Sequence, residues 1–321
     1  MKATHACAHS GPGRAQSGVA LAILLWFLAA MSILVGGMVY QARMDIKLAQ
    51  LQLAQAQAEA AGDGAIQLAM AELSILERDG EFSGRGIHRS RFTVGGVDVA
   101  VSITPVTGLL DLNTASEDLL AVLFAGFEGF GGEDGQALAH NVVEWRTPRG
   151  AGGMAGLDDN VGPEDGTSRG GRFQAIEDLL LVVGVNREIF EGVKDSIYVA
   201  KQGQAGVDWL SAPVSVLAAL SGDVNSAEEL ELSRMSLSAG DTYPPAGINS
   251  SFQEQQLLPL FRVDAYVSIS DVDYQRRRWV NRVQEGPGGL PWRFFRTEPV
   301  TVSNGKERKM LANTQSAHAG Q

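Results

Sequence analysis

Only one cysteine, Cys7, occurs in the 321 residues, and it stands among the first eighteen. A disulfide framework is therefore excluded, even in an oxidising compartment. Histidine is also scarce: past residue 18 only His88, His140 and His318 remain, without the H-E-x-x-H spacing of a metalloprotease. There is no G-x-S-x-G elbow and no Walker loop. The glycine-rich piece "FEGFGGEDG" lacks the preceding strand and following helix that a phosphate cradle needs. Hydrolytic and metal-enzyme readings thus lack residues, and a non-enzymatic protein is expected. Basic residues are outnumbered, with a net charge of −11 that argues against general binding to nucleic acid or anionic lipid heads.

Acids are missing from the first forty residues, and there the chain carries "RAQSGVALAILLWFLAAMSILVGGMVYQAR". The run from Val19 to Tyr40 has no charge; as a helix it is roughly 33 Å long, enough for a bilayer core of about 30 Å. It is longer than a secretory h-region and lacks an A-x-A-like exit, so a cleaved signal peptide is the weaker reading. Lys2 and Arg14 precede it and Arg43 and Lys47 follow, so charge alone sets no orientation. Helical periodicity continues afterwards through Met44, Leu48, Leu51, Ala54, Ala58, Ala65, Ala69, Leu73 and Leu76, with a kink expected at Gly62-Asp63-Gly64.

"RFTVGGVDVAVSI" alternates across Gly95-Gly96 as a β-hairpin. Later, Phe261, Val263, Ala265, Val267 and Ile269 share one face of a strand with a single buried side. After a turn at Asp271-Val272-Asp273, Arg276 to Arg278 are expected on a solvated strand that resists aggregation. Between the strand groups the texture is helical. "LDLNTASEDLLAVL" and "VDWLSAPVSVLAAL" repeat each other, pairing Asp111 with Asp208 and Ala115 with Ala212, with Thr114 and Ser211 as expected N-caps. A third unit, "FQAIEDLLLVVGVNREIFEGVKDSIYV", reads as helix, Gly184 turn, helix, with Asn186 as a second N-cap.

That unit resembles the helix-hairpin-helix modules that grip DNA backbones, but such modules need nearby cations. Residues 107–220 hold seven Lys and Arg against seventeen Asp and Glu, a balance of −10, so nucleic acid is not an expected partner. Five of the oxygen-bearing residues, Asp158, Asp159, Asn160, Glu164 and Asp165, fall in the glycine-rich loop "GLDDNVGPEDG", whose hard ligands on flexible backbone suit Ca²⁺, although it is no EF-hand.

A polar leader ending in Gly18 before an unbroken apolar helix resembles a type IV prepilin. Taken with "GLLDLNTASEDLLAVL", "FQAIEDLLLVVGVNREIFEGV" and the strand pair ending "PWRFFR", nearly the whole chain to about residue 299 resembles the K-type minor pseudopilin of type II secretion systems, the GspK family. Prepilins mostly carry Glu at the fifth mature position. Counted from Val19 that position is Ile23, and its lack of a carboxylate is what the K type shows. The resemblance implies cleavage after Gly18 by a prepilin peptidase and N-methylation at Val19. It also implies I- and J-type minor pseudopilins as partners, and calcium in the insert, for which Asp158, Asp159, Glu164 and Asp165 are the candidate ligands. The expected location is the inner membrane, single-pass with the C-terminal domain in the periplasm, and later the pseudopilus tip.

The expected fold is α+β: a long N-terminal transmembrane helix running into a pilin-like α/antiparallel-β domain, with a large all-helical insert between strands. The expected divisions are a leader over 1–18, a transmembrane or filament-core helix over 19–40, and an amphipathic helix and hairpin over 41–106. The insert is expected over 107–220, the returning strands over 221–302 and a disordered tail over 303–321. Two other readings remain open from sequence: a membrane-anchored DNA-uptake receptor and a single-pass coiled-coil stalk.

Overall fold

The computed structural model describes residues 17–126, 132–147, 170–201, 203–235, 248–283 and 286–303. Two compact units divide the chain, residues 1–56 and 57–321. One helix, α1 (Ser17–Arg78), supplies residues to both. In the first unit its large apolar side chains from Val19 to Leu53 are exposed. The most apolar 18-residue window has a mean hydropathy of 2.6, and the helix is long and apolar enough to cross a membrane.

In the second unit α1 turns its apolar stripe inward, and Ala58, Ala65, Ala69, Met70 and Leu73 are buried. The helix runs through Gly62-Asp63-Gly64 without the expected interruption. The glycines serve close approach instead. A Cβ at Gly62 would sit 2.9 Å from the Arg276 Cβ, and one at Gly64 would sit 3.0 Å from Val94. Helical glycine costs about 1 kcal/mol relative to alanine, a cost offset here by bringing the helix against the sheet.

The chain then forms β1 (His88–Val94), β2 (Val97–Pro105), β3 (Leu110–Asp111), α2 (Glu117–Ala125), α3 (Gly132–Arg146), α4 (Arg187–Val193), β4 (Ile197–Tyr198), α5 (Val214–Ser221) and α6 (Val224–Met235). It closes with β5 (Leu260–Ile269), β6 (Val272–Arg282), β7 (Trp292–Thr297) and β8 (Thr301–Val302). Gly95 and Gly96, at φ of 60° and 80°, make the expected tight turn of the first hairpin. In the second hairpin the turn falls one residue earlier than expected, at Ser270 and Asp271, both left-handed at φ of 50° and 64°.

The main sheet runs β1-β2-β5-β6-β7, antiparallel throughout, with β8 also on β6. Because β2 and β5 are neighbours, everything between them is an excursion from the sheet. The expected α+β arrangement is therefore present: a long helix on an antiparallel sheet, with a mostly helical excursion between two adjacent strands.

Register separates the two faces of the sheet. Val101, Ile103, Val263 and Ala265 share a face with Arg276 and His88, which reach α1. Arg262, Asp264, Tyr266 and Arg277 share the other, and all four are buried. The expectation of a strand with a single buried side is thus corrected for β5, because the excursion covers the second face.

The excursion has its own core, built around Leu112, Leu120, Phe124, Val142, Leu179, Trp209 and Leu217. It does not stop at residue 220: Ala227 and Ile248 belong to the same cluster, and Phe252 packs against it. Nor is it wholly helical, since β3 and β4 pair in parallel. The cap of α2 is Ser116 rather than Thr114, and that of α5 is Pro213 rather than Ser211; Asn186 caps α4 as expected, accepting from the Ile189 N–H at 2.8 Å.

Candidate functional site

Gly18, Val19 and Ile23 lie in the first turns of α1, and Val19 and Ile23 are both exposed, at 60% and 63%. The uncharged run from Val19 to Tyr40 exposes its large apolar side chains, a contiguous apolar surface of the kind that marks an interaction or membrane site. The four acids Asp158, Asp159, Glu164 and Asp165 lie outside the described residues. Among the described residues no group of three or more His, Cys, Asp or Glu is placed to hold a metal ion.

What the structure does bring together is a seam of ion pairs between α1 and the sheet. Arg276 donates from Nε and Nη2 to the two oxygens of Asp63, at 2.8 and 3.1 Å, and lies 3.0 Å from Glu59. Its guanidinium is raised above its ordinary pKa, first by the hydrogen bond to Asp63. Arg278 stacks over the Phe294 ring at 3.7 Å, and Arg282 pairs with Glu77. Burial nevertheless pushes the Glu77 carboxyl up, outweighing Arg282. The expected solvated arginine strand is therefore overturned. Arg276 and Arg277 are 7% and 5% exposed, because acids on α1 and in the excursion meet them from opposite faces.

On that opposite face Asp264 is the hub. It accepts from Arg262 Nε at 2.8 Å, from Arg277 Nε at 2.5 Å and from Gln275 Nε2 at 3.1 Å. Arg277 continues to Asp195 at 2.5 Å, and Arg262 donates to the Asp195 carbonyl, tying β5 and β6 to a residue two positions past α4. Burial by itself would raise the Asp264 carboxyl, but Arg262 and Arg277 outweigh it and hold it below the ordinary range. Buried pairs of this kind are weak stabilisers against apolar packing but costly to break, and they fix one arrangement of the layers.

The internal repeat is legible atom by atom. Asn113 N–H donates to Asp111 Oδ1 at 3.0 Å, and Leu210 N–H donates to Asp208 Oδ1 at 3.3 Å. The Thr114 and Ser211 hydroxyls each donate to the Oδ2 of their aspartate at 3.0 Å. Both residues expected as helix caps thus serve an aspartate turn instead.

Each repeat is closed by an arginine at the end of its second helix. Arg146 donates to the carbonyls of Leu112 and Ala115 at 2.8 and 2.6 Å. Arg234 donates to those of Trp209 and Ala212, the equivalent positions, at 3.0 and 2.6 Å. These arginines were not singled out from sequence; a basic residue in the last turn of the second helix of each pair was the available signal. The repeats differ in one respect. Arg85 grips Asp208 through both oxygens, at 3.0 and 2.7 Å, whereas Asp111 has no ion-pair partner among the described residues, and burial pushes its carboxyl up.

The hairpin unit departs from its expected form, since its first limb, Ile176–Leu181, is a 3-10 helix. Gly184 turns it at φ 88°, and Arg187 and Lys194 both pair with Glu191. The cations nearest the hairpin are thereby already engaged.

The fold places the chain among mixed α+β proteins with an N-terminal helix able to cross a membrane. No family model matches it, and neither does any curated protein. Among solved structures it is similar to a chain of the GspK-GspI-GspJ complex from the type 2 secretion system of enterotoxigenic Escherichia coli. The identity is 13%, covering 80% of this chain and 99% of that one, with a TM-score of 0.48.

Proposed function

We propose that this chain is a minor pseudopilin of the K type, capping the tip of a periplasmic pseudopilus and helping to start its assembly. The observation that carries the reading is α1 itself: one helix whose first part is apolar and exposed and whose second part is buried against an antiparallel sheet. Such a helix suits a membrane before assembly and a filament core afterwards. Ile23 supports the tip position. In a filament, a Glu at that place pairs with the amine of the subunit above; a tip subunit has none above it, and an unpaired buried carboxylate would be costly.

In this reading the role is non-enzymatic. A prepilin peptidase removes residues 1–18 and Val19 is methylated. The second unit faces the periplasm and joins I- and J-type minor pseudopilins. Asp158, Asp159, Glu164 and Asp165 would hold calcium, which would neutralise the charge of that stretch.

N-terminal mass spectrometry on protein from its native membrane is the first test, and it should find a chain beginning with N-methylated Val19. An intact Met1, or cleavage beyond Tyr40, refutes the processing and returns the stalk reading to the front. One-to-one association with purified I- and J-type partners in calcium tests the tip role, and failure to associate ends it. The DNA-uptake reading requires salt-dependent DNA binding, which the pairing of Arg187 and Lys194 with Glu191 disfavours.

A further inference from the structure

Where β1 meets the last turns of α1, polar atoms are buried without being bonded. His88 opens β1 and faces α1, and Ser90, two residues on, shares that face. His88 Nε2, Ser90 Oγ and Glu72 Oε2 are each shut off from water and have no hydrogen-bond partner among the described residues. Glu72 Oε2 stands 3.9 Å from His88 Nε2, an ion-pair distance but too long for a hydrogen bond. The Phe82 ring meets the imidazole edge-on, with centroids 6.2 Å apart.

Further across the sheet the same layer contact is tied by charge-assisted bonds, Arg276 to Asp63 and Arg282 to Glu77. β1 lacks such a tie to α1 among the described residues and is also the sheet edge, paired with β2 alone. An edge strand seated on unbonded polar atoms is where a sheet opens at least cost.

Neutral imidazole suits this seat, since with its proton on Nδ1 the buried Nε2 carries only a lone pair. A second proton would place a buried N–H, and a full charge, where the facing carboxylate is beyond bonding reach. Few charges surround the ring. From α1 Glu72 favours the cation, but its side chain is 41% exposed and its pull is screened. Glu77, five residues on, is paired with Arg282 of β6, and β2 sets the uncharged Ile103 opposite His88. Burial outweighs Glu72 and pushes the imidazole below its ordinary value.

We propose that His88 is a pH-sensitive latch at the edge of the sheet: neutral, it lets β1 seat on α1; protonated, it loosens β1 from the helix while the charge-paired β6 stays in place. The latch does not depend on the pseudopilin reading. Its sign follows from burial. The folded imidazole holds its proton less tightly than the unfolded one, so the seat is at full strength above the unfolded value of about 6.5 and weakens as pH falls below it.

Hydrogen–deuterium exchange of the full chain in detergent micelles tests the latch, at about pH 7.5 and about pH 5.5 with exchange times scaled to intrinsic rates. Histidine is the side chain whose ordinary titration falls in that window. On acidification the protection of β1 should fall several-fold more than that of β6, and His88→Gln, neutral at both pH values, should abolish the difference. An NMR titration of the ring protons should place His88 below the ordinary value of about 6.5, its signal being the one missing from His88→Gln. If that variant does not fold, the wild-type exchange comparison carries the test alone. Equal loss in both strands, no loss, or a gain of β1 protection in acid (closure of the Glu72–His88 pair) overturns the proposal. So does the same strand-selective loss in His88→Gln, or a His88 titration at or above the ordinary value.

Discussion

Asp264→Asn isolates the charge at the centre of the buried network while leaving its shape in place. Asp264 is 1% exposed and holds Arg262 and Arg277, both nearly as buried, through separate oxygens. In the variant one oxygen becomes an NH₂ group facing a guanidinium; Arg277 keeps Asp195 and Glu298, while Arg262 loses its ion-pair partner among the described residues. Removing one partner of a buried pair costs about 3–5 kcal/mol. For a domain of this size each kcal/mol lowers Tm by about 2–4 °C, so a fall of about 6–20 °C is expected.

The assay is a thermal melt of the full chain in detergent, followed by tryptophan fluorescence. Trp145, Trp209, Trp279 and Trp292 are all buried in the second unit and report its unfolding. A fall below about 2 °C would refute the claim that this network holds the layers together. Acid gives a second reading. The folded carboxyl of Asp264 is held below its ordinary value, so its contribution is present above the unfolded pKa of about 3.9 and is lost as pH falls through the folded value. Wild type and Asp264→Asn should therefore differ most near neutrality, and the gap should begin to narrow as pH falls below about 4 and close only below the depressed folded value; a gap that stays constant through that descent contradicts the assignment.

Two further outcomes follow from the packing. Arg146→Ala and Arg234→Ala each leave buried carbonyls unpaired and should each cost about 2–4 kcal/mol in urea titrations; two near-zero effects would remove the closing role of these arginines. Gly62→Ala gains about 1 kcal/mol of helix propensity but drives a methyl against the Arg276 Cβ, an overpacking cost of about 1–3 kcal/mol, so Tm should fall slightly. A rise in Tm would mean the helix moves freely away from the sheet.

Features carried by near neighbours in the chain were legible in advance. The apolar run after Gly18, the stripe from Ala54 to Leu73, the Gly95-Gly96 turn and the Asn186 cap depend on periodicity or on contacts within four residues, and each stands where the pattern put it. The repeat around Asp111 and Asp208 was visible too, because its hydrogen bonds run to residues two and three positions on.

The misreadings of the arginines and of the helix glycines share one cause: what a residue does when a partner far along the chain reaches it. Arg276, Arg277 and Arg278 look solvated until Asp63, more than two hundred residues earlier, and Asp195, from the excursion, are brought to opposite faces of one sheet. Gly62 and Gly64 look like a kink until the sheet lies against them. Alternation along a strand records which residues share a face, but not what covers the second face. Local sequence therefore determined the helix, the hairpins and the repeat, while the pairing of buried charge was decided only when tertiary packing excluded water and brought distant carboxylates to each buried cation.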